Sequence, residues 1–317
     1  MPKVETLKGP IDTAELGFTL MHEHVFVLSE GVNLAFPQVW DEESRVADAR
    51  KRLQAMIDSG VQSIVDLSVL GLGRDIRRVQ RVAGDLALNV VVATGLYTYD
   101  EVPHHFASRD ADYMAELFVH DITTGIQGTD IKAAILKVAT DQKGVTDGVE
   151  KVLRAVARAH RKTGVPISTH THPATKRGLE QQKIFQEEGV DLGRVVIGHS
   201  GDSEDLDYLE TMMKAGSYIG MDRFGIDMYL TTEKRVAVIA ELCKRGYANR
   251  MVLAHDASCY MDWFPWDALN KAVPRWHFRH ISDDVIPMLR DAGVPQDQID
   301  LMTTGNPRAV FEKQGGY

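Results

Sequence analysis

The apolar and polar positions of the chain follow two periods that alternate along its length. Short runs of apolar and β-branched residues, such as residues 89–97, have the pattern of strands. Longer stretches with apolar residues every three or four positions, such as residues 44–59 before Gly60, have the pattern of amphipathic helices. From residue 17 onward, strand and helix follow each other as a repeating unit. This alternation predicts a parallel sheet whose strands are connected by helices.

The pattern predicts eight strand–helix units. Their strands are expected at residues 17–24, 61–68, 89–97, 131–138, 165–171, 194–200, 217–223 and 250–256. The connections are short and no Pro-, Gly- or Ser-rich boundary divides them. We therefore expect an α/β fold, a closed (β/α)8 TIM barrel, as one domain over residues 1–317 with a short N-terminal hairpin and C-terminal helices. The alternative is a doubly wound open sheet, but Gly71 and Gly73 lack the third glycine of a dinucleotide-binding fingerprint.

Composition narrows the range of partners. The chain is 44% hydrophobic and 26% charged, as in soluble globular proteins, and its net charge of −9 disfavours nucleic acids and anionic membranes. A small-molecule substrate is expected instead. Two cysteines are too few for a disulfide framework, and no apolar run resembles a signal peptide or a membrane span. We therefore expect a cytoplasmic protein.

Polar side chains collect at the predicted C-terminal ends of the strands, where barrel enzymes carry their active sites. The first strand ends in His22 and His24, which share a face because one residue separates them. The other candidates are Lys137, His170, His199 and Asp256. Imidazole, carboxylate and amine groups from five strand ends predict a metal site.

Alternation along each strand predicts which residues face the barrel interior. In the sixth strand it groups Val195 and Ile197 with His199, and in the eighth it places His255 opposite Asp256. We therefore do not expect His255 to bind a metal. In the fourth strand the predicted inward set is Ile131, Ala133, Ile135 and Lys137.

Two histidines compete at the end of the fifth strand. His170 and His172 are separated by one residue, so both have the orientation of a ligand. Pro173 follows directly and is expected to turn the chain. We therefore assign the ligand role to His170 and interpret His172 as a loop residue.

The arrangement of these residues resembles the phosphotriesterase family of the amidohydrolase superfamily, and within it the phosphotriesterase-like lactonases. The resemblance extends from the segment at residues 18–24 to residues 304–307 near the C-terminus, and every metal-ligand position of the family is filled. It implies two divalent metal ions, with zinc expected and cobalt, iron or manganese accepted by the same ligands. The implied ligands are His22, His24 and Asp256 for the more buried metal, His170 and His199 for the more exposed one, and a carboxylated Lys137 (N6-carboxylysine) as the bridge.

The resemblance also implies an activity. A hydroxide that bridges the two metals would attack the carbonyl of a lactone, with Asp256 as proton acceptor and shuttle. The expected substrates are N-acyl homoserine lactones and other γ- and δ-lactones, with secondary phosphotriesterase activity. The alternative is a dedicated phosphotriesterase of the same fold. A mononuclear deaminase is disfavoured because one metal needs no bridge from Lys137, and a binding protein without turnover is disfavoured by the complete ligand set.

A substrate pocket is predicted beside the metals. Tyr97 and Arg223 occupy positions that the lactonases use near the bridging solvent and the substrate. The loop at residues 257–279 is rich in aromatic residues, and residues 256–263 look like the lactonase version of this loop. We predict an apolar channel for an acyl chain with walls formed by Trp263, Leu72, Ile226, Tyr229 and Val27. The resemblance further implies a homodimer.

Overall fold

The computed structural model describes residues 2–317. The chain begins with an antiparallel hairpin of β1 (Lys3–Thr6) and β2 (Gly9–Asp12), as predicted. The following strands form a parallel sheet: β3 (Thr19–Val27), β4 (Ser63–Asp66), β5 (Asn89–Leu96), β6 (Ile135–Thr140), β7 (Ile167–Thr171), β8 (Val195–Ile197), β9 (Tyr218–Met221), β10 (Met251–Leu253) and β11 (Ser258–Met261). Their order in the sheet is β10-β9-β8-β7-β6-β5-β4-β3-β11.

One segment of chain joins the two edges of this sheet. β10 and β11 are consecutive in sequence but lie at opposite edges. Between them, the Asp256 amide donates to the His22 carbonyl at 3.0 Å, and the His24 amide donates to the Ala257 carbonyl at 2.9 Å. The sheet therefore closes on itself, and the predicted (β/α)8 barrel is confirmed. The predicted eighth strand was wrong at its end, because β10 ends at Leu253 and the parallel ladder with β3 forms only in β11.

Helices follow the strands and cover the outside of the barrel. They are α1 (Val32–Ala35), α2 (Glu42–Asp58), α3 (Ile76–Ala83), α4 (His104–Ala107), α5 (Ala111–Thr123), α6 (Asp147–Thr163), α7 (Arg177–Glu187), α8 (Leu206–Lys214), α9 (Thr232–Lys244), α10 (Trp266–Ala272), α11 (Ile286–Asp291), α12 (Gln296–Asp300) and α13 (Asn306–Glu312). α6 begins where the Thr146 side chain accepts from the Val149 amide and ends at Gly164 with φ +77°. Across residues 2–317, each helix is too short or too polar to traverse a lipid bilayer.

The core has two layers, one inside the barrel and one between the strands and the helices. Val196 packs inside with residues from the other strands, whereas Val195 and Ile197 pack in the outer layer. The predicted face of the sixth strand was therefore wrong. His199 still reaches the interior because its backbone takes φ +58° and breaks the alternation after Ile197.

Among the other strand boundaries that differ from the prediction, those of β6 and β3 concern candidate ligands. β6 starts at Ile135 rather than at residue 131, and Ile131 and Ala133 pack in the outer layer. Ile135 does pack inside the barrel, two residues before Lys137. β3 continues to Val27 rather than ending at residue 24, so its two histidines lie within a strand that is buried along its whole length.

Candidate metal centre and active site

Polar side chains converge inside the barrel at the carboxyl ends of its strands. They are His22 and His24 of β3, Lys137 of β6, His170 of β7, His199 after β8, and Asp256 between β10 and β11. All except Asp256 are buried, and the Asp256 side chain is 17% exposed. The barrel therefore brings all six predicted residues together, although β3 and β11 are far apart in sequence.

The distances within this cluster are those of converging donor atoms. Potential ligand atoms of His22, His199 and Asp256 all lie within 4.8 Å of one another. Asp256 Oδ1 lies 3.2 Å from His24 Nε2 and 3.4 Å from His22 Nε2. Lys137 Nζ lies 2.9 Å from His22 Nε2. Nitrogen and oxygen donors gathered in a buried space are what a divalent transition metal requires.

The two competing histidines of the fifth predicted strand have different surroundings. The His170 ring lies 4.5 Å from the His199 ring between centroids, and His170 Nδ1 lies 3.2 Å from the Tyr97 hydroxyl. His172 Nδ1 instead lies 2.9 Å from Thr175 Oγ1, in the turn that follows β7. The geometry therefore favours His170 over His172 as a member of the cluster.

A buried carboxylate, Asp222, orients two of the histidines. Its Oδ2 accepts from His22 Nδ1 at 2.8 Å, and its Oδ1 accepts from His199 Nδ1 at 3.0 Å. The same Oδ1 accepts from the His199 amide at 2.7 Å, which supports the left-handed backbone of that residue. Because the Nδ1 atoms are engaged, Nε2 of both His22 and His199 faces the cluster.

The other two histidines also have a partner outside the cluster. His24 Nδ1 donates to Ser68 Oγ at 3.0 Å, since the Ser68 hydroxyl itself donates to the Phe26 carbonyl. His170 Nε2 donates to Asp141 Oδ2 at 2.6 Å. His24 therefore presents Nε2 to the cluster, whereas His170 presents Nδ1.

Burial sets the protonation states of the cluster. It lowers the pKa of His170 to about 4, and it is the main reason that the pKa of His199 lies well below its usual value. Burial also lowers the pKa of the Lys137 amine to about 8. Neutral imidazole is the form that binds a metal, and neutral amine is the form that reacts with carbon dioxide. The residues present therefore fit a metal centre with a modified lysine.

A chain of alternating charges leads away from Asp256. Arg223 Nε donates to Asp256 Oδ2 at 3.1 Å, and Arg223 Nη1 donates to Asp202 Oδ2 at 3.0 Å. Asp202 Oδ1 in turn lies 2.6 Å from Nη1 of Arg235, whose side chain is fully buried. The Asp256 carboxylate is thus held on one side by the histidines and on the other by Arg223.

The predicted pocket residues differ in burial and in the side chains that they contact. Val27 and Leu72 are buried in the inner layer of the core, and Tyr97 packs against the same layer. The Trp263 ring lies 6.1 Å from the Tyr97 ring between centroids. The remaining two candidates are Tyr229, which is 58% exposed beneath the Arg223 guanidinium, and Ile226, which is buried.

The residues that orient the histidines were not predicted from the sequence. Asp222, Asp141 and Ser68 each lie near the end of a strand, but nothing in their spacing distinguishes them from ordinary polar loop residues. The His22–Asp222 contact spans 200 residues, so it follows only from closure of the barrel. Tyr99, whose hydroxyl is hydrogen-bonded to that of Tyr97 two residues before it, was not predicted either.

A closed parallel barrel with buried imidazoles, a carboxylate and an amine at the carboxyl ends of its strands defines a metal-dependent hydrolase. The comparisons with known proteins name the family. The sequence model described as "Phosphotriesterase family" matches residues 2–311. The chain belongs to this family, and the resemblance inferred from its residues is confirmed.

Individual relatives agree with this assignment. The chain is 55% identical to a "Phosphotriesterase homology protein" of Mycobacterium tuberculosis, with all of both chains covered. It is 41% identical to an "Aryldialkylphosphatase" of Saccharolobus solfataricus, with 96% of this chain and 98% of the relative covered. The structure of the phosphotriesterase from Mycobacterium tuberculosis superposes with a TM-score of 0.98 at 55% identity over the whole of both chains.

Proposed function

We propose that this hydrolase is a binuclear-metal lactonase that opens N-acyl homoserine lactones and other γ- and δ-lactones, with secondary activity on phosphotriesters. The observation that carries the proposal is the single buried cluster of four imidazoles, one carboxylate and one amine at the barrel mouth. Two divalent ions, with zinc expected, would be held by His22, His24 and Asp256, by His170 and His199, and by a carboxylated Lys137 between them.

The residues around this cluster have assignable roles in ester hydrolysis. When bound, two divalent cations supply an activated water at neutral pH and polarise the carbonyl or phosphoryl oxygen of the substrate. The Asp256 carboxylate accepts the proton of the attacking water and passes it to the leaving alkoxide. Arg223 holds that carboxylate at Oδ2, and the Tyr97 hydroxyl beside His170 orients the substrate.

The role of Asp256 is open to a direct test. Asp256→Asn removes the proton acceptor while keeping the size of the side chain, so kcat is expected to fall about 100-fold or more. The measurement is steady-state kinetics on a lactone, with metal content determined on the same preparation. Full turnover by a variant that retains both metals would contradict the shuttle.

The proposed carboxylation of Lys137 can be tested separately. The amine is buried and its pKa is lowered to about 8, which leaves a reactive neutral fraction near neutral pH. Intact mass spectrometry under non-denaturing conditions should show the added mass of one carbon dioxide, and acid treatment should remove it. Lys137→Arg serves as the control because it cannot form the carbamate.

The preference for lactones rests on the lining of the barrel mouth. The Tyr97 hydroxyl lies beside His170, and the half-exposed Trp263 ring lies next to Tyr97, which suits an acyl chain beside a polar ring. Val27 and Leu72 are buried in the inner layer of the core that Tyr97 packs against. Ile226 and Tyr229 complete the proposed walls.

A kinetic panel tests the order of substrates. It contains N-acyl homoserine lactones of several chain lengths, simple γ- and δ-lactones, and an aryl phosphotriester. We expect kcat/KM for the best lactone to exceed that for the phosphotriester by at least about tenfold, equivalent to about 1.4 kcal/mol in the transition state. Equal or better efficiency on the phosphotriester would reverse the proposed order.

The acyl channel is tested with a matched pair of aromatic variants. Trp263→Ala is expected to raise KM for a long-chain lactone about tenfold and to change KM for a short-chain lactone little, because only the long chain reaches this ring. The neighbouring exposed Phe264→Ala is the control. Equal losses for both chain lengths would remove Trp263 from the channel.

A dedicated phosphotriesterase is the second candidate function. It is favoured by the names of two relatives, the 41% identical "Aryldialkylphosphatase" and the 55% identical phosphotriesterase from Mycobacterium tuberculosis. The same cluster would serve it, since a phosphoryl oxygen can take the position of the carbonyl oxygen. The substrate panel separates the two candidates.

We further propose that the protein acts as a homodimer in the cytoplasm. Cys243 and Cys259 are both free and buried, which agrees with a reducing compartment. Side chains with large exposed apolar surface near the barrel mouth support a contact between two copies.

A further inference from the structure

Glu23 lies between the two proposed ligands of β3 and has no role in the chemistry described above. Its side chain is fully buried. Because neighbouring side chains of a strand alternate, Glu23 is directed to the face opposite His22 and His24. A buried carboxylate requires strong hydrogen-bond donors, and the donors here come from the chain around Asp256.

The two oxygens of Glu23 bind the backbone on both sides of Asp256. Oε1 accepts from the His255 amide at 2.9 Å, and Oε2 accepts from the Ala257 amide at 2.9 Å. The Asp256 amide itself donates to the His22 carbonyl at 3.0 Å. Three consecutive amides of the chain are therefore held by two consecutive residues of β3.

These contacts act on a backbone that is unfavourable on its own. Asp256 has φ +54°, a left-handed conformation that residues other than glycine seldom adopt. If the segment relaxed to an extended conformation, the Asp256 side chain would change direction relative to the ligand nitrogens. The amide contacts to Glu23 oppose that relaxation.

His255 completes the arrangement. Its Nδ1 donates to Glu23 Oε1 at 2.7 Å, and its Nε2 accepts from the Ile281 amide at 3.0 Å. The His255 carbonyl accepts from Trp276 Nε1 at 2.9 Å. The pair thus connects β3, the kink at Asp256 and the segment that precedes α11.

We infer that Glu23 and His255 are positioning residues for Asp256, which hold its strained backbone so that its carboxylate faces the metal centre. The inference rests on the proposed role of Asp256 as a metal ligand. It gives a structural role to the acidic residue between the two histidines, which is fully buried and directed to the opposite face of the strand.

Zinc affinity measured against a chelator tests this inference without any substrate. Glu23→Gln replaces one accepting oxygen by an amino group that opposes a backbone amide. We expect its zinc affinity to fall about 10- to 100-fold, as for other residues that orient metal ligands. The visible spectrum of the cobalt-loaded variant should change as well, because the position of Asp256 in the coordination sphere changes.

Asn306→Ala is the matched structural control. Asn306 is buried and donates to the Ala248 and Met251 carbonyls. These contacts lie at the start of β10, whereas Asp256 follows the end of this strand. This variant should lower the melting temperature yet leave the zinc affinity and the cobalt spectrum unchanged. The inference is overturned if Asn306→Ala weakens zinc as much as Glu23→Gln does, or if Glu23→Gln matches the wild type in both readouts.

A second pair of variants provides rescue and remains available if Glu23→Gln does not fold. His255→Leu removes the side-chain donor to Glu23, whereas the side-chain amide of His255→Asn can replace Nδ1. Weaker zinc binding in the first and partial recovery in the second support the inference, and equal affinities in both overturn it. A wild-type chain without affinity for zinc would instead overturn the proposed metal centre, and the inference with it.

Discussion

Single contacts decide which nitrogen each histidine presents to the cluster. An imidazole has two nitrogens, and the partner of one determines the tautomer and leaves the other for a metal. His22 and His199 share Asp222 as that partner, so one carboxylate orients ligands from two different strands. His24 and His170 each have a partner of their own. The ligand set therefore depends on residues that would not touch a metal themselves.

Loss of the shared partner should weaken both histidines together. Asp222→Asn places an amino group against one of the two Nδ1 donors, and we expect zinc affinity to fall about 10- to 100-fold. Asp121→Asn is a suitable control, since Asp121 pairs with Arg74 outside the cluster. Competition with a chelator measures both variants. Unchanged zinc binding by Asp222→Asn would show that Asp222 does not orient the ligands.

At the scale of strands and helices, close packing places Lys137. Gly95 of β5 lies opposite Lys137 of β6, and a Cβ at Gly95 would lie 2.0 Å from the Lys137 carbonyl oxygen. Gly95 also has φ +143°, which disfavours any side chain. Only glycine lets the strand that carries Lys137 approach its neighbour this closely.

Gly95→Ala should therefore displace β6. We expect a loss of about 3 kcal/mol or more in the free energy of unfolding, together with lower metal content. Gly246→Ala is the control, because Gly246 also has a positive φ but open space around its would-be Cβ. It should cost only about 1–2 kcal/mol, the penalty of the left-handed backbone. Denaturant unfolding compares the two, and equal losses would contradict the packing argument.

The end of α6 carries a pH-dependent contact to the C-terminal residue. His160 Nδ1 donates to the Val165 carbonyl at 2.7 Å, and its Nε2 accepts from the Tyr317 hydroxyl at 2.8 Å. Burial lowers the pKa of His160 from 6.5 to about 4. The folded state therefore binds this proton less readily than the unfolded state, so stability is lost as pH falls from about 6.5 towards 4.

His160 should account for a measurable part of the free energy of unfolding that the protein loses at acid pH. Between about pH 7.5 and about pH 5, the His160 contribution to the free energy of unfolding should fall by about 2 kcal/mol. His160→Gln removes the titrating group and can still donate to Val165. Urea unfolding at the two pH values is the measurement. A variant with the same pH dependence as the wild type would exclude His160 as the source.

For the whole molecule, the proposed metal centre links parts of the barrel that are distant in sequence. Its candidate ligands come from β3, β6 and β7, and from segments after β8 and β10. Two of these elements meet where the barrel closes. A metal bound there should stabilise the folded state in addition to its role in catalysis, because the unfolded chain has no preformed site.

Metal removal should consequently lower the melting temperature. A ligand at 1,000 times its dissociation constant stabilises the folded state by about 4 kcal/mol. Differential scanning calorimetry of metal-loaded protein, chelator-treated protein and protein with zinc restored measures the effect. Magnesium, which prefers oxygen ligands, is the control and should not restore stability. Identical melting temperatures in all preparations would contradict a metal that connects distant parts of the barrel.

The proposed homodimer predicts that exposed apolar side chains form the contact between the two copies. Leu34 is 82% exposed and Phe36 is 55% exposed, both between β3 and α2. Apolar side chains this exposed and this close together are expected to be covered by a partner. Replacing both by glutamate should shift the mass measured by light scattering from dimer to monomer. A wild-type protein that is monomeric at the concentrations used would refute the proposal.

How much could be predicted without the structure differs from one part of the molecule to another. The barrel and the convergence of His22, His24, Lys137 and His170 follow from local information, because the hydrophobic period identifies the strands and parallel strands share one carboxyl edge. The directions of the His199 and Asp256 side chains did not follow from alternation alone. The predicted face of the sixth strand was wrong, and both residues have a left-handed backbone, with φ of +58° and +54°. A single backbone angle of this kind has no signature in the sequence.

The sequence by itself determined the fold class, the family and the residue types available to bind metal. Only the tertiary structure decided how those residues are held. Asp222 accepts hydrogen bonds from two histidines, and Glu23 accepts from the amides that precede and follow Asp256. The last predicted strand is divided into β10 and β11 at opposite edges of the sheet. The physical reason is the separation along the sequence between the residues that interact. Periodicity depends on neighbours a few positions apart, whereas the Asp222–His22 and Glu23–His255 contacts join residues 200 and 232 positions apart and exist only once the barrel has closed.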